Sequence, residues 1–227
     1  MARLLSTGPR ISNAAFPVIN GSAFTNKSAD PASFTASLPS SIGAGELLLL
    51  IAGWIADDGE ESSVNTKLDV PSGWTKIGPD LSDTWNIDGL YKMASGGEGT
   101  SLTLTMTGPG AANVAFSSMA YRISGASTPK FGGYVSYAAE DSPNPGPLDV
   151  GILGNHLWFV SCVSRSAENN GITVPTNYTP ESISNAVRWR AGRRSLRVQA
   201  EDPGIFTINT SGSPDIARVA TWCAPAP

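Results

Sequence analysis

Charged side chains are scarce in this sequence, at 15% of 227 residues against the roughly 25% usual for soluble domains. The net charge is −4 and the isoelectric point is near 5.0, so there is no global positive field to draw in nucleic acid or an anionic membrane, and neither is an expected partner. Histidine is down to one residue, His156, which reads as a strand-edge side chain rather than a catalyst. Cysteine is down to two, Cys162 and Cys223, each inside an apolar run (WFVSCV and VATWCA). They read as small buried thiols, with a disulfide open to them only under oxidising conditions. No GxSxG elbow, HExxH, CxxC or Gly-rich phosphate loop occurs, so the usual nucleophile and metal routes have no visible parts and no cofactor is expected. The carboxylate pair that a glycosidase needs stays open. No apolar run approaches the 18 residues of a membrane-spanning helix, and MARLLSTGPR lacks the apolar segment of a signal peptide. The expectation is a protein made in a cytoplasm, on which the sequons at Asn20, Asn26, Asn177 and Asn209 carry no meaning. A sustained 3.6-residue apolar period is also missing, which confines helix to short turns.

What is present is strand and turn. The stretch GAGELLLLIAGW, residues 43–54, has an unbroken apolar run from Leu47 to Ala52 between glycines and predicts a central strand buried on both faces. Ser101 to Thr107 alternates strictly, with Leu102, Leu104 and Met106 on one face and threonines on the other. Further strands are predicted near 14–19, 32–37, 73–78, 85–94, 112–124, 131–138, 155–165, 177–183, 186–200, 204–210 and 216–224. The 24 glycines and 17 prolines punctuate them.

Part of the pattern occurs twice. Aligning Gly45 with Gly154 sets Leu48–Ile51 on Leu157–Val160, and Val70-Pro-Ser-Gly-Trp-Thr75 falls on Val174-Pro-Thr-Asn-Tyr-Thr179. The same spacing carries Trp85 onto Trp189 and Leu102-Thr-Leu104 onto Phe206-Thr-Ile208. Several matches in one order imply an internal duplication. The expected architecture is all-β: a β-sandwich of jelly-roll type over residues 13–227, built from half-repeats at about 13–139 and 148–227. The Pro-rich stretch 140–147 links the halves, and an extended arm, residues 1–12, precedes them.

Charge is concentrated in a few places. Arg188-Trp189-Arg190-Ala-Gly-Arg193-Arg194-Ser-Leu-Arg197 puts five basic residues into ten positions. It reads either as a solubilising hairpin, with a turn at 192–194, or as an anchor for an acidic partner, since arginine and tryptophan are enriched at interface hot spots. The duplication lays this run over residues 84–93, near Asp83 and Asp88, and suggests a head-to-tail contact closing a homotrimeric ring. In the arm, Arg3, Leu4, Leu5 and Arg10 have no periodic partner in the body, so the arm is expected to lie on another chain. Asp57, Asp58, Glu60 and Glu61 lack the spaced order of a calcium loop and read as a solvated turn.

With GAGELLLLIAGW, VPSGWTKIG, LYKMASGGEGTSLTLT and AYRISGAS in order, the chain resembles a family of virion accessory proteins of tailed bacteriophages. The matching motifs are Gly45 to Leu48, Pro71 to Trp74, Tyr91 to Glu98 and Tyr121 to Gly125. The first half carries the likeness well, the second through degenerate copies at 174–179 and 201–206. The resemblance implies a non-enzymatic β-sandwich located in the virion, with the major capsid protein or another virion protein as partner. The role it implies first is a capsid decoration or cement protein, usually trimeric, on the outside of the head. The alternative is a fibre or spike module that binds host carbohydrate through aromatics such as Trp85 or Tyr137.

Overall fold

A computed structural model describes residues 10–30, 32–56, 66–78, 85–108, 111, 114–138, 142–164, 167–184, 187–210 and 216–227. Every regular element among them is a strand. In chain order these are β1 (Arg10–Ile11), β2 (Val18–Asp30), β3 (Ser33–Ser37), β4 (Leu47–Ala56), β5 (Lys67–Leu68), β6 (Thr75–Ile77), β7 (Trp85–Met93) and β8 (Ser101–Thr107). They continue with β9 (Val114–Ser124), β10 (Lys130–Ala138), β11 (Leu148–Ser164), β12 (Ala167–Thr173), β13 (Thr179–Ser184), β14 (Trp189–Glu201), β15 (Thr207–Thr210) and β16 (Ile216–Pro225).

The first large sheet has the order β2-β9-β4-β7-β6, and the second has β10-β16-β11-β14-β13. In each, the first strand of its stretch of chain lies at one edge with the last strand beside it, and β4 or β11 occupies the centre. A small sheet, β3-β8-β5, belongs with the first, and a pair, β12-β15, with the second. Strand β10 pairs with β16, so the chain passes from one large sheet to the other between Ser124 and Lys130. This corrects the expected division, which put residues up to 139 in the first half. The Pro-rich stretch sits inside the second unit instead: Phe206 N donates to Pro143 O at 2.9 Å, just ahead of β15. Prolines 143, 145 and 147 cannot donate to a ladder, and this stretch bonds to Phe206 without forming a strand.

Three apolar clusters separate four layers. Between the large sheets lie Leu47, Leu49 and Ile51 of β4, Met119, Tyr121 and Ile123 of β9, and Leu157, Phe159, Trp189 and Trp222 of the second sheet. Outside the first large sheet, Leu50, Ala52 and Trp54 pack on Phe34, Leu104 and Met106 of the small sheet. Outside the second, Trp158, Val160 and Cys162 pack on Ile172, Phe206 and Ile208. Strands β4 and β11 are thus apolar on both faces because each separates two cores. Leu157 faces the central core, whereas alternation puts Leu48 on the same face as the outward Leu50. The sequence alignment of Leu48 with Leu157 therefore pairs residues on opposite faces; Leu47, Leu49 and Ile51 are the residues of β4 that face as Leu157 does.

The large sheets interlock through tryptophans seated over glycines. A Cβ on Gly53 of β4 would stand 2.8 Å from Trp189 Cγ, and one on Gly89 of β7 would stand 2.5 Å from Trp222 Nε1. Both tryptophans are fully buried. Phe24 stacks on Trp189 with centroids 6.4 Å apart, and Phe131 tilts against Trp222 at 5.8 Å. Polar bonds cross the same boundary: Asn26 Oδ1 accepts from Ser184 Oγ at 2.7 Å, and Arg218 donates to Trp85 O.

The described end of the expected arm is held by the chain itself. Arg10 and Ile11 pair parallel with Ile152 and Leu153 of β11, and Ser12 N donates to Leu153 O at 2.8 Å. Residues 10–12 therefore lie on their own body rather than on another chain; Arg3, Leu4 and Leu5 lie outside the described residues. Methyl groups placed at the two glycines should act like overpacking in a close-fitted core. Gly53→Ala and Gly89→Ala are each expected to lower unfolding stability by about 1–3 kcal/mol in urea titration, and a neutral result at both would contradict the interlock.

Candidate partner-binding surface

The arginine run does not form the expected hairpin. Strand β14 continues from Trp189 to Glu201 without a turn, because residues 189–198 pair with β11 along their length and Gly192 packs against Val174 and Tyr178. Alternation then divides the run. Trp189 is a core residue, not a surface anchor. Arg190 donates to Ile172 O at 3.4 Å, and its burial lowers its pKa. Arg194 lies over the Tyr178 ring at 5.2 Å and pairs with Glu201 at 2.9 Å. Burial raises the Glu201 pKa, against the opposing pull of Arg194 and Tyr178. Arg188 precedes the strand with φ of 44° and is half-buried. Arg193 lines an open cleft.

The proposed acidic counterpart is also used internally. Asp88 is 1% exposed, accepts from Trp54 Nε1 at 2.8 Å and pairs with Lys76 Nζ at 2.9 Å. It is therefore not available to a neighbouring subunit's arginines, which corrects the expectation for Asp88; Asp83, the other acidic residue expected there, lies outside the described residues. Removing one member of a buried ion pair leaves the other charge uncompensated. Asp88→Ala is expected to lower unfolding stability by about 3–5 kcal/mol in equilibrium denaturation. A change below about 0.5 kcal/mol, the size usual for a surface site, would contradict this placement.

The remaining motif residues shape the backbone. Glu46 accepts from Gly43 N at 2.7 Å and from the Asn20 amide, with Arg122 3.8 Å away. Burial pushes its pKa up, but the Gly43 N–H, the Asn20 amide and the Arg122 charge outweigh that and hold it low. Glu98 closes its loop by accepting from Ser95 N at 2.8 Å, Gly96 N at 2.9 Å and Gly97 N at 3.1 Å, with Lys92 at 3.1 Å. The Ser95 N–H leads in holding its carboxyl well below the usual range. Pro71 to Trp74 and Pro175 to Tyr178 make the same turn, closed at 3.0 and 3.1 Å, with φ of 79° at Gly73 and 73° at Asn177. Asparagine tolerates this left-handed conformation better than most residues, so it serves in the glycine position.

His156 is fully buried rather than at a strand edge: its Nε2 lies 2.9 Å from Ile152 O, and Nδ1 accepts from Ala226 N at 3.3 Å. Cys223 stands opposite Trp158 in the β11–β16 ladder and Cys162 opposite Val219, four residues along, too far apart for a disulfide. Trp85 is 8% exposed with Arg218 4.6 Å over its ring, so it offers no face to a sugar. The side chain of Tyr137 and the acidic loop at 57–61 lie outside the described residues. Among the described residues, no group of three or more His, Cys, Asp or Glu side chains is placed to hold a metal ion, and no helix is long and apolar enough to cross a membrane.

The surface that stands out was not singled out from sequence. After β1 the chain runs as an extended strap, tied by Ser12 Oγ to Pro227 O at 2.7 Å, by Asn155 Nδ2 to Ala14 O at 2.7 Å and by Arg197 to Asn13 Oδ1 at 3.2 Å. Along it Ile11 is 60% exposed, Phe16 39% and Val18 54%. Phe16, Pro17, Val18 and Ile19 form one wall of an open cleft of about 430 Å³, facing Leu157, Arg193 and Ser195. The apolar run Ala14-Ala-Phe-Pro-Val-Ile19 was the available signal, but it reads equally as a buried strand. No protein-family model matches the chain, and no curated protein matches it either.

Proposed function

We propose that this chain is a non-enzymatic structural protein of a tailed-phage virion, a decoration protein on the outside of the head that attaches through the strap and cleft at residues 10–19. The observation that carries the reading is the strap itself. Three large apolar side chains, Ile11, Phe16 and Val18, stand in water along one short segment, where apolar side chains gathered on a surface mark an interaction site. The resemblance to virion accessory proteins supplies the particle. It is supported by the structural work done by the shared motif residues: Glu46 beside Arg122, Glu98 closing its loop, and the Pro71–Trp74 turn.

The same reading takes the body as two jelly rolls related by duplication. Strands β2-β9-β4-β7 and β3-β8-β5 follow the order of an eight-stranded jelly roll, and β10-β16-β11-β14 with β12-β15 repeats it without the counterpart of β3. The buried carboxylates Asp88 and Glu201 are committed to Lys76 and Arg194, which favours a scaffold over a hydrolase.

The test uses particles stripped of the protein and rebound with purified chain. Phe16→Asp and Val18→Asp should keep thermal stability within the range of a surface change, while occupancy by quantitative mass spectrometry falls about tenfold or more. Failure of the unaltered protein to bind, or full occupancy by both variants, would overturn the proposal.

A further inference from the structure

Arg193 is the polar centre of the cleft, and half of its binding capacity is unused. Its Nε is paired with Glu181, and this is its one hydrogen bond among the described residues. The side chain is 39% exposed, and its two terminal nitrogens are not among the buried polar atoms. A guanidinium has two edges that each fit a carboxylate; Glu181 occupies the edge that includes Nε, and the other remains open. Ser195 and Arg197 follow at two-residue steps on the same face of β14, both exposed. Arg193 lines the cleft itself, while Arg197, further along the face, donates to Asn13 Oδ1 of the strap, on a chain whose net charge is −4. Opposite them, Phe16 and Val18 form an apolar wall.

We infer that the cleft receives an extended acidic segment of a partner protein, an apolar side chain lying on Phe16, Val18 and Leu157 while the neighbouring carboxylate takes the open edge of Arg193. A polypeptide suits the shape better than a small molecule. Ligand pockets bury most of their occupant, whereas here Phe16 is 39% and Val18 54% exposed, and the cleft is dried only by something that also covers them. Alternation of apolar and acidic residues in the partner matches an apolar wall facing a row of donors. The inference rests on the reading of this end as the attachment surface and names what that surface recognises.

The experiment titrates isotope-labelled protein with three blocked hexapeptides, alternating Leu-Glu, Leu-Gln and Leu-Lys, followed by amide chemical shifts. The Leu-Glu peptide should move the signals of Val18, Arg193 and Ser195 saturably. The Leu-Gln peptide should bind about tenfold more weakly, as expected for loss of a charge-assisted bond, and the Leu-Lys peptide should not bind. Arg193→Met, which keeps the stem and removes the donors, should abolish the difference between Glu and Gln. Arg193→Lys, which keeps the charge and loses the fork, should recover part of it. Equal binding of the Glu and Lys peptides, no shift at about 1 mM peptide, or unchanged Glu preference in a folded Arg193→Met protein would overturn the inference. Particle rebinding separates the two proposals. If the Phe16 and Val18 variants lose occupancy while Arg193→Met keeps it, the attachment surface stands and this inference falls. If the peptides bind as expected but the unaltered protein does not bind particles, the reverse holds.

Discussion

Two indole rings pressed onto two glycines hold the halves of this molecule together. Trp189 and Trp222 belong to the second large sheet, and Gly53 and Gly89, on which they sit, belong to adjacent central strands of the first. Both sheets must therefore approach closely at two places, and the rest of the central core is arranged around that. Phe24 stacks beside one indole and Phe131 beside the other. The close fit explains why each half spends its most apolar strand on the middle of its sheet. Strands β4 and β11 each have a partner layer on both faces, and only an alternation-free sequence satisfies both.

Such a body leaves little for surface chemistry to do. The ion pairs of Asp88 with Lys76 and of Arg194 with Glu201 lie where small sheets or neighbouring strands cover them. Among the described residues, one place with capacity to spare is where the strap pairs with β11 and the open edge of Arg193 shares a cleft with Phe16 and Val18. A four-layered body with an exposed apolar strap at the start of its first large strand is suited to holding a partner at a fixed orientation, which is the physical content of the proposed decoration role.

Much of the fold was legible because it rests on period-two patterning. Ser101–Thr107 shows alternating burial, and Leu47–Ala56 is buried almost throughout. The misses have local causes. Asn20-Gly21 signals a turn, yet the ladder only shifts register there, so β2 runs on through a polar stretch at a sheet edge. Ala167–Thr173 has too few apolar residues to read as a strand and becomes one by pairing with β15. Gly192 reads as a turn residue but is small because Val174 and Tyr178 crowd it. The candidate site was less legible for a different reason. Arginines in a run are visible in sequence, but their division between faces, and the burial of Asp88, depend on which strands lie alongside. Phe16 and Val18 carry no mark of exposure; Phe16 precedes β2, and Val18 opens it at a sheet edge, paired with Ser124.

The central claim is that the tryptophan–glycine interlock makes both halves one cooperative unit. Native-state hydrogen exchange of the amides of Leu49–Ile51 and Phe159–Ser161, read across a denaturant series, tests it most directly. The account predicts that the slowest amides of both strands open with the same free energy and the same denaturant dependence. Opening of one strand at a distinctly lower free energy than the other would contradict it.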